Sequence, residues 1–184
     1  MNGKRYTTTA IGLHWLMAAL ILVLFAVGQY MTDLPLSPTK LQIYSWHKWG
    51  GVTAFLLVFF RVVWRTTHRP PPLPSTMPRW QQVAAHGGHA ALYLLMFAIP
   101  LSGWLMSSAK GFQTVYLGVL PIPDLLAKNK EFGDVLKEVH ETLNFLMIVI
   151  VAGHVAAALK HHFIDRDDIL VRIAPHRSRK GQHA

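Results

Sequence analysis

Four stretches of this chain are apolar over the length a helix needs to cross a lipid bilayer, which excludes most other architectures. A hydrocarbon core about 30 Å thick is spanned by roughly 20 helical residues. The stretches run from about Ala10 to Met31, Ser45 to Arg65, Ala84 to Ser108 and Val139 to Lys160. No alternation marks strands, so a barrel is not expected. The predicted fold is an all-α membrane protein, a four-transmembrane-helix bundle forming one domain over residues 1–184. Composition agrees, with 52% apolar and 15% charged residues, against about 25% charge in soluble domains. The first stretch follows Lys4 and Arg5 as a signal peptide's core would. Its 22 residues exceed the roughly 7–15 of such a core, and no A-x-A site follows, so it reads as a retained helix.

Charge sets the orientation. The N-terminus, the second connector and the tail over 161–184 share one side with Lys4, Arg5, Arg61, Arg65, Arg69, Arg79, Lys160, Arg166, Arg172, Arg177, Arg179 and Lys180. Only Asp165, Asp167 and Asp168 oppose them there. On the other side Lys40, Lys48, Lys110, Lys128, Lys130 and Lys137 are balanced by Asp33, Asp124, Glu131, Asp134, Glu138 and Glu141. The whole net charge of +9 thus falls on one face, which the positive-inside rule places in the cytoplasm with both termini. A one-faced excess beside membrane spans speaks for anionic lipid as partner and against nucleic acid. Trp15, Trp64 and Trp80 fall at inner helix ends, and Trp46, Trp49 and Trp104 near outer ones, as an interfacial belt requires. Five prolines between His68 and Trp80 predict a stiff inner connector, and Pro100 a kink in the third helix. The outer loop from Ala109 to about Asp134 is long enough for a short interfacial helix.

Eleven histidines in so apolar a chain demand an explanation. An ionisable side chain within a membrane helix marks function by default. Cysteine is absent, which rules out disulfides, thiolate metal sites and covalent c-type haem. His140, His154 and His161 recur at spacings of 14 and 7 and so lie on one face of the fourth helix. His140 and His154 are about 21 Å apart along the axis at 1.5 Å per residue, which suits one site near each membrane surface. Depth matching pairs His47 with His140 outside and His14 with His154 inside. Imidazoles from facing helices are axial ligands for haem iron. Gly28, Gly50, Gly51 and Gly153 near these positions suit either a flat macrocycle or close helix approach. A lone helix histidine would ordinarily bond a neighbour; depth-matched histidines on three helices are not explained that way. His89 and His161 are too shallow for the inner pair and suit hydrogen bonds and proton exchange with a quinone. His86 is next in line, His162 reads as interfacial, and His68, His176 and His183 as solvated.

At these residues the sequence resembles the bacterial cytochrome b561 family over nearly its whole length, and within it the superoxide-oxidising members. The resemblance rests on Gly12-Leu13-His14-Trp15, Ser45-Trp46-His47, and His86-Gly87-Gly88-His89 leading into Tyr93-Leu94-Leu95. It continues through Lys137-Glu138-Val139-His140-Glu141-Thr142, the tract from Gly153 to His162, and Asp168-Ile169-Leu170-Val171-Arg172. It implies two haem b groups in an inner-membrane bundle and ubiquinone near the cytoplasmic side at His89 and His161. It also implies superoxide as the donor at the periplasmic haem. The outer loops, where donor choice is set, depart from the superoxide-oxidising members.

The expected function is therefore an electron conduit from a periplasmic small-molecule donor to quinone. Arg61 and Arg65 suit haem propionates or lipid phosphates equally. Lys110, Lys128, Lys130 and Lys137 could steer an anion, but acidic residues are interleaved with them. One rival is a cytochrome anchor subunit serving a partner dehydrogenase or hydrogenase. A second, a histidine-lined carrier for metal or proton, is weakened because no Asp or Glu lies mid-membrane.

Overall fold

The computed structural model describes residues 5–175. Four long helices carry the apolar stretches: α1 (Thr8–Asp33), α2 (Pro38–Thr67), α3 (Arg79–Ala109) and α4 (Lys130–Lys160). All four are long and apolar enough to cross a membrane. Three begin on a residue suited to capping free N–H groups. Thr7 Oγ1 accepts from Ala10 N, Ser37 Oγ from Lys40 N, and Asn129 Oδ1 from Phe132 N. Pro38 follows Ser37, where its missing N–H costs nothing.

The helices start earlier than the apolar stretches suggest, most of all α2 at Pro38 and α4 at Lys130. Their first turns are polar and extend past any hydrocarbon core, so hydropathy alone does not register them. α3 runs on through Pro100. Packing follows chain order: α1 lies against α2, α2 against α3, and α3 most extensively against α4. The α3–α4 contact is tightest where small residues allow it. Ser108 and Ala109 are fully buried, Asn129 N bonds the Ala109 carbonyl at 2.8 Å, and a Cβ at Gly133 would sit 2.7 Å from Lys110 Cγ.

Each end of the bundle is tied off differently. At one end the N-terminus, the α2–α3 connector and the C-terminal segment meet. There Tyr6 N bonds the Arg172 carbonyl, Trp15 Nε1 bonds the Ile173 carbonyl, and Arg172 Nη1 bonds the Pro72 carbonyl. This basic end holds the residues expected inside. At the other, the loop end, the long connector does not form the expected interfacial helix. It folds into a short antiparallel hairpin, β1 (Val115–Tyr116) with β2 (Leu120–Pro121). Gly118 at its turn has φ 74°, and Leu117 is also left-handed at 53°. Helix formation would leave that turn chemistry unused. The hairpin is held to α2 by Trp49 Nε1 on the Val115 carbonyl and by Thr53 with the Tyr116 hydroxyl. Lys48 Nζ adds a bond to the Phe112 carbonyl. Trp15, Trp49, Trp64 and Trp104 all spend their indole N–H on pinning segments at the bundle ends.

The basic tail begins with structure of its own. α4 widens into a π-helical turn over His161–Asp165, Arg166 turns left-handed, and α5 (Ile169–Ile173) follows. His176 and His183, expected to be solvated, lie outside the described residues.

Candidate functional site: paired histidines between the helices

Two histidine pairs face each other across the bundle at two depths. His47 of α2 and His140 of α4 have ring centroids 6.5 Å apart near the loop end. His14 of α1 and His154 of α4 are 6.2 Å apart toward the basic end. An imidazole nitrogen sits about 2.0 Å from a bound metal, which puts the ring centroid about 3.2 Å from it. Two rings on opposite sides of one iron are then about 6.4 Å apart. Both pairs lie at that separation. His47 and His140 stay level because α2 and α4 both extend by about two to three turns beyond the apolar stretches.

The surroundings of the first pair suit metal ligands. His140 Nδ1 donates to the Ile99 carbonyl at 3.0 Å and contacts Ser102 Oγ at 2.9 Å. A carbonyl only accepts, so the proton sits on Nδ1 and Nε2 keeps its lone pair, the tautomer a metal-bound histidine adopts. His47 Nδ1 is buried with no hydrogen-bond partner. Such an orphan costs about 1–3 kcal/mol unless something fills the site. Glycines stand against both rings. A Cβ at Gly28 would lie 3.3 Å from His47 Cε1, and one at Gly103 would lie 3.1 Å from His140 Cε1. The tightness at Gly50 has another cause, since a Cβ there would overlap Leu24. An apolar cavity of about 70 Å³ separates the pair, walled by all four helices. Met17, Met96 and Met147 line it and are the side chains best able to repack around a ligand. An orphaned nitrogen, a lone-pair nitrogen and glycine-cleared rings together fit a bis-histidine haem.

The second pair has a cationic flank. Arg61 Nη2 donates to His14 Nδ1 at 3.3 Å and its Nε to the Tyr93 hydroxyl at 3.1 Å. The Arg65 guanidinium lies over the Tyr93 ring at 5.6 Å. Both arginines therefore gather on Tyr93 beside the histidine pair. Among the described residues no carboxylate pairs with either.

His89 departs from its expected place. Its ring lies 5.5 Å from His154, closer than His14 does, whereas it was expected to be too shallow. The reason is the packing of α3 along α4, which sets His89 level with His154, a register that a residue count along one helix does not fix. At 5.5 Å it is also too near His154 for both rings to take opposite sides of one iron, which leaves His14 as the better partner. The structure does not bring His89 and His161 together: among the described residues no contact joins them. His161 instead turns its Nδ1 to Asp167 at 2.6 Å and Asp165 at 3.1 Å. His86 is exposed and bonds the Gln82 carbonyl. His162 is exposed against Phe163, and His68 is exposed and stacked on Trp64.

Sequence reasoning missed Ser102, Gly103, Tyr93 and Asp167. Ser102 and Gly103 carried a signal, a small polar and a small apolar residue just after Pro100 in a membrane helix. Nothing in spacing indicates Asp167, because only the chain reversal at Arg166 brings it to His161.

Helices packed in a bundle with paired imidazoles between them are the plan of a membrane-bound b-type cytochrome. Residues 5–176 match the family described as prokaryotic cytochrome b561, and the chain belongs to that family. It is similar to cytochrome b561 homolog 2 of Escherichia coli K12, 37% identical over 92% of this chain and 91% of that one. It is also similar to cytochrome b561 homolog 1 of the same organism, 30% identical over 95% and 99%. A third relative is a probable superoxide oxidase, CybB, of Yersinia pestis, 28% identical over 94% and 97%. The protein is thus an integral electron-transfer protein of the bacterial inner membrane, in a family whose cofactor is b-type haem.

Proposed function

We propose that the chain holds two haem b groups and carries electrons from a periplasmic donor to ubiquinone at the cytoplasmic side. The observation that carries this reading is the pair of ring separations, 6.5 and 6.2 Å, at two depths of one bundle. His47 and His140 would hold the outer haem, and His14 and His154 the inner one. Bound there, such groups supply reversible one-electron chemistry at both membrane faces. A haem held by a histidine on each side would favour electron passage over oxygen binding.

The protein's own residues do the rest. Ile99 and Ser102 fix the His140 ring, and Arg61 and Arg65, which no carboxylate holds among the described residues, offer guanidinium forks for propionates. Arg61 can only donate, so a proton on His14 Nδ1 would require it to release that nitrogen and turn to an anion. The basic end faces the cytoplasm by its charge. His89 beside His154, and His161 one heptad beyond it, serve the quinone, with protons arriving without crossing the hydrocarbon.

Superoxide as donor draws on the Yersinia pestis relative. Steering by the outer lysines is a smaller element than the sequence suggests. Lys110 is paired with Asp134 at 2.9 Å and Lys137 with Glu141 at 3.3 Å, which leaves Lys128 and Lys130. The test is a visible spectrum and haem assay of purified protein, followed by enzymatically generated superoxide with a ubiquinone analogue. The expected result is two haems per chain, reduced by superoxide and reoxidised by quinone. One haem per chain removes half the pairing. Two haems that superoxide leaves oxidised make the protein a cytochrome of another donor.

A further inference from the structure

We propose that Asp167 is a positioning residue for His161, fixing its ring and holding it as the cation that gives a proton during quinone reduction. The inference rests on the reading above, in which His161 serves the quinone. It goes beyond that reading by assigning the residue that keeps the proton donor charged and aimed.

The geometry is built by an interruption of α4. On an unbroken α-helix a residue six positions on lies about 240° around and about 9 Å further along, so Asp167 would face away from His161. The chain instead widens to a π-helical turn over His161–Asp165, and Arg166 adopts φ 53°, a conformation costly for a residue with a Cβ. Both Arg166 N and Asp167 N then bond the His161 carbonyl. The reversal swings the Asp167 carboxylate back, with Oδ2 2.6 Å from His161 Nδ1.

The two nearby carboxylates are not equivalent. Asp165 Oδ2 is held by Lys160 Nζ at 2.6 Å and lies 3.1 Å from the imidazole. Among the described residues Asp167 Oδ2 bonds His161, while its Oδ1 accepts from Ile169 N at 3.0 Å. The dyad is withdrawn yet wet, with side chains 13% and 20% exposed. It borders a cavity of about 290 Å³ at the basic end, whose other wall is the α2–α3 connector with Thr76 and Met77 and the first turn of α3 with Gln81. Among the described residues the charged groups lining the cavity with His161 are Asp165 and Asp167, with Lys160 paired to Asp165.

The chemistry follows from who can donate. An ionised carboxylate only accepts, so His161 Nδ1 carries a proton toward Asp167, and a ring that donates to a quinone carbonyl must carry a second proton on Nε2, as an imidazolium. Converting a quinone to a quinol takes two electrons, which the cytochrome delivers, and two protons. Each proton leaving Nε2 forms a quinol O–H bond and leaves a neutral ring whose Nδ1–H still rests on Asp167. Water in the cavity that His161 lines returns the proton to Nε2, and the Asp167 carboxylate favours that cation by its charge and holds the ring for the next transfer.

A purely structural role for Asp167, anchoring α5 through Ile169 N, is the competing explanation, and Asp167→Asn separates the two. The amide keeps an oxygen for Ile169 N and the side-chain shape but loses the negative charge that favours the imidazolium. Haem-loaded, prereduced protein is mixed with a ubiquinone analogue and its reoxidation followed by absorbance in H₂O and D₂O. The expected result is a rate at least tenfold lower in Asp167→Asn, with a larger solvent isotope effect and unchanged haem content. Millimolar formate or imidazole should restore part of that rate, and Asp167→Glu should remain near the parent. A wild-type rate in Asp167→Asn beside a slow His161→Ala overturns this role of Asp167 and leaves the quinone reading standing. A slow Asp167→Asn that small acids do not rescue also overturns it, in favour of the structural role. A wild-type rate in His161→Ala removes the quinone role of His161 itself.

Discussion

Replacing Gly103 with alanine should loosen the outer haem without unfolding the bundle. The added Cβ would lie 3.1 Å from His140 Cε1 and 3.4 Å from Nδ1. Carbon atoms rest about 3.5–4.0 Å apart, so the ring must retreat on the order of half an ångström. Metal ligation tolerates only about 0.2 Å of error, and the 3.0 Å bond from Nδ1 to the Ile99 carbonyl would stretch beyond useful length. Damage to the groups that orient a metal ligand costs about 10–100-fold in affinity, or roughly 1.4–2.7 kcal/mol. Haem titration of apoprotein, read by the Soret band and by haem-to-chain ratio, should show one site weakened by that factor and the other unchanged. Gly153→Ala is the control, since nothing lies within 4 Å of its Cβ position. Wild-type affinity at both sites in Gly103→Ala would mean that the glycine does not clear space for a ligand ring, and the outer assignment would rest on the ring separation without it.

Three further outcomes are expected. His47→Ala and His140→Ala should each lose the outer haem, and His14→Ala and His154→Ala the inner one; the opposite haem disappearing, judged by redox titration, would invert the scheme. His89→Ala should keep both haems while slowing reoxidation by quinone about tenfold, roughly 1.4 kcal/mol for one lost hydrogen bond; a lost haem would make His89 a ligand in place of His14. Acidified organic solvent should extract all haem, because the chain has no cysteine to form thioether links; residual haem on the denatured chain would contradict this.

Much of the architecture was legible because the bilayer imposes a length and a polarity that hydropathy reads directly. The histidine pairs were legible because α4 is regular from Lys130 to Lys160, so a heptad count translates into a face and a depth. What failed was anything set by how one helix lies along another. His89 read as shallow because a count along α3 alone does not give its register against α4, which brings it beside His154. The hairpin at Val115–Pro121 was missed because two-residue strands have no period to detect, leaving only Gly118 as a cue. Arg61 and Arg65 were undecided between lipid and site because long cationic side chains reach either. Tyr93 on the neighbouring helix is what draws them inward.

The ties at the basic end impose an order on assembly. Arg5, Tyr6 and Trp15, at the start of the chain, are fastened to Ala174, Arg172 and Ile173, at the far end of the described chain. These bonds span more than 150 residues and none can form until the tail has been synthesised. Throughout translation, then, α1 is held to the rest mainly through α2, and the seam where His14 meets His154 has no clasp. The strap at the basic end can therefore close only once both ends of the described chain have been made, so the order of synthesis decides when that end of the bundle is locked.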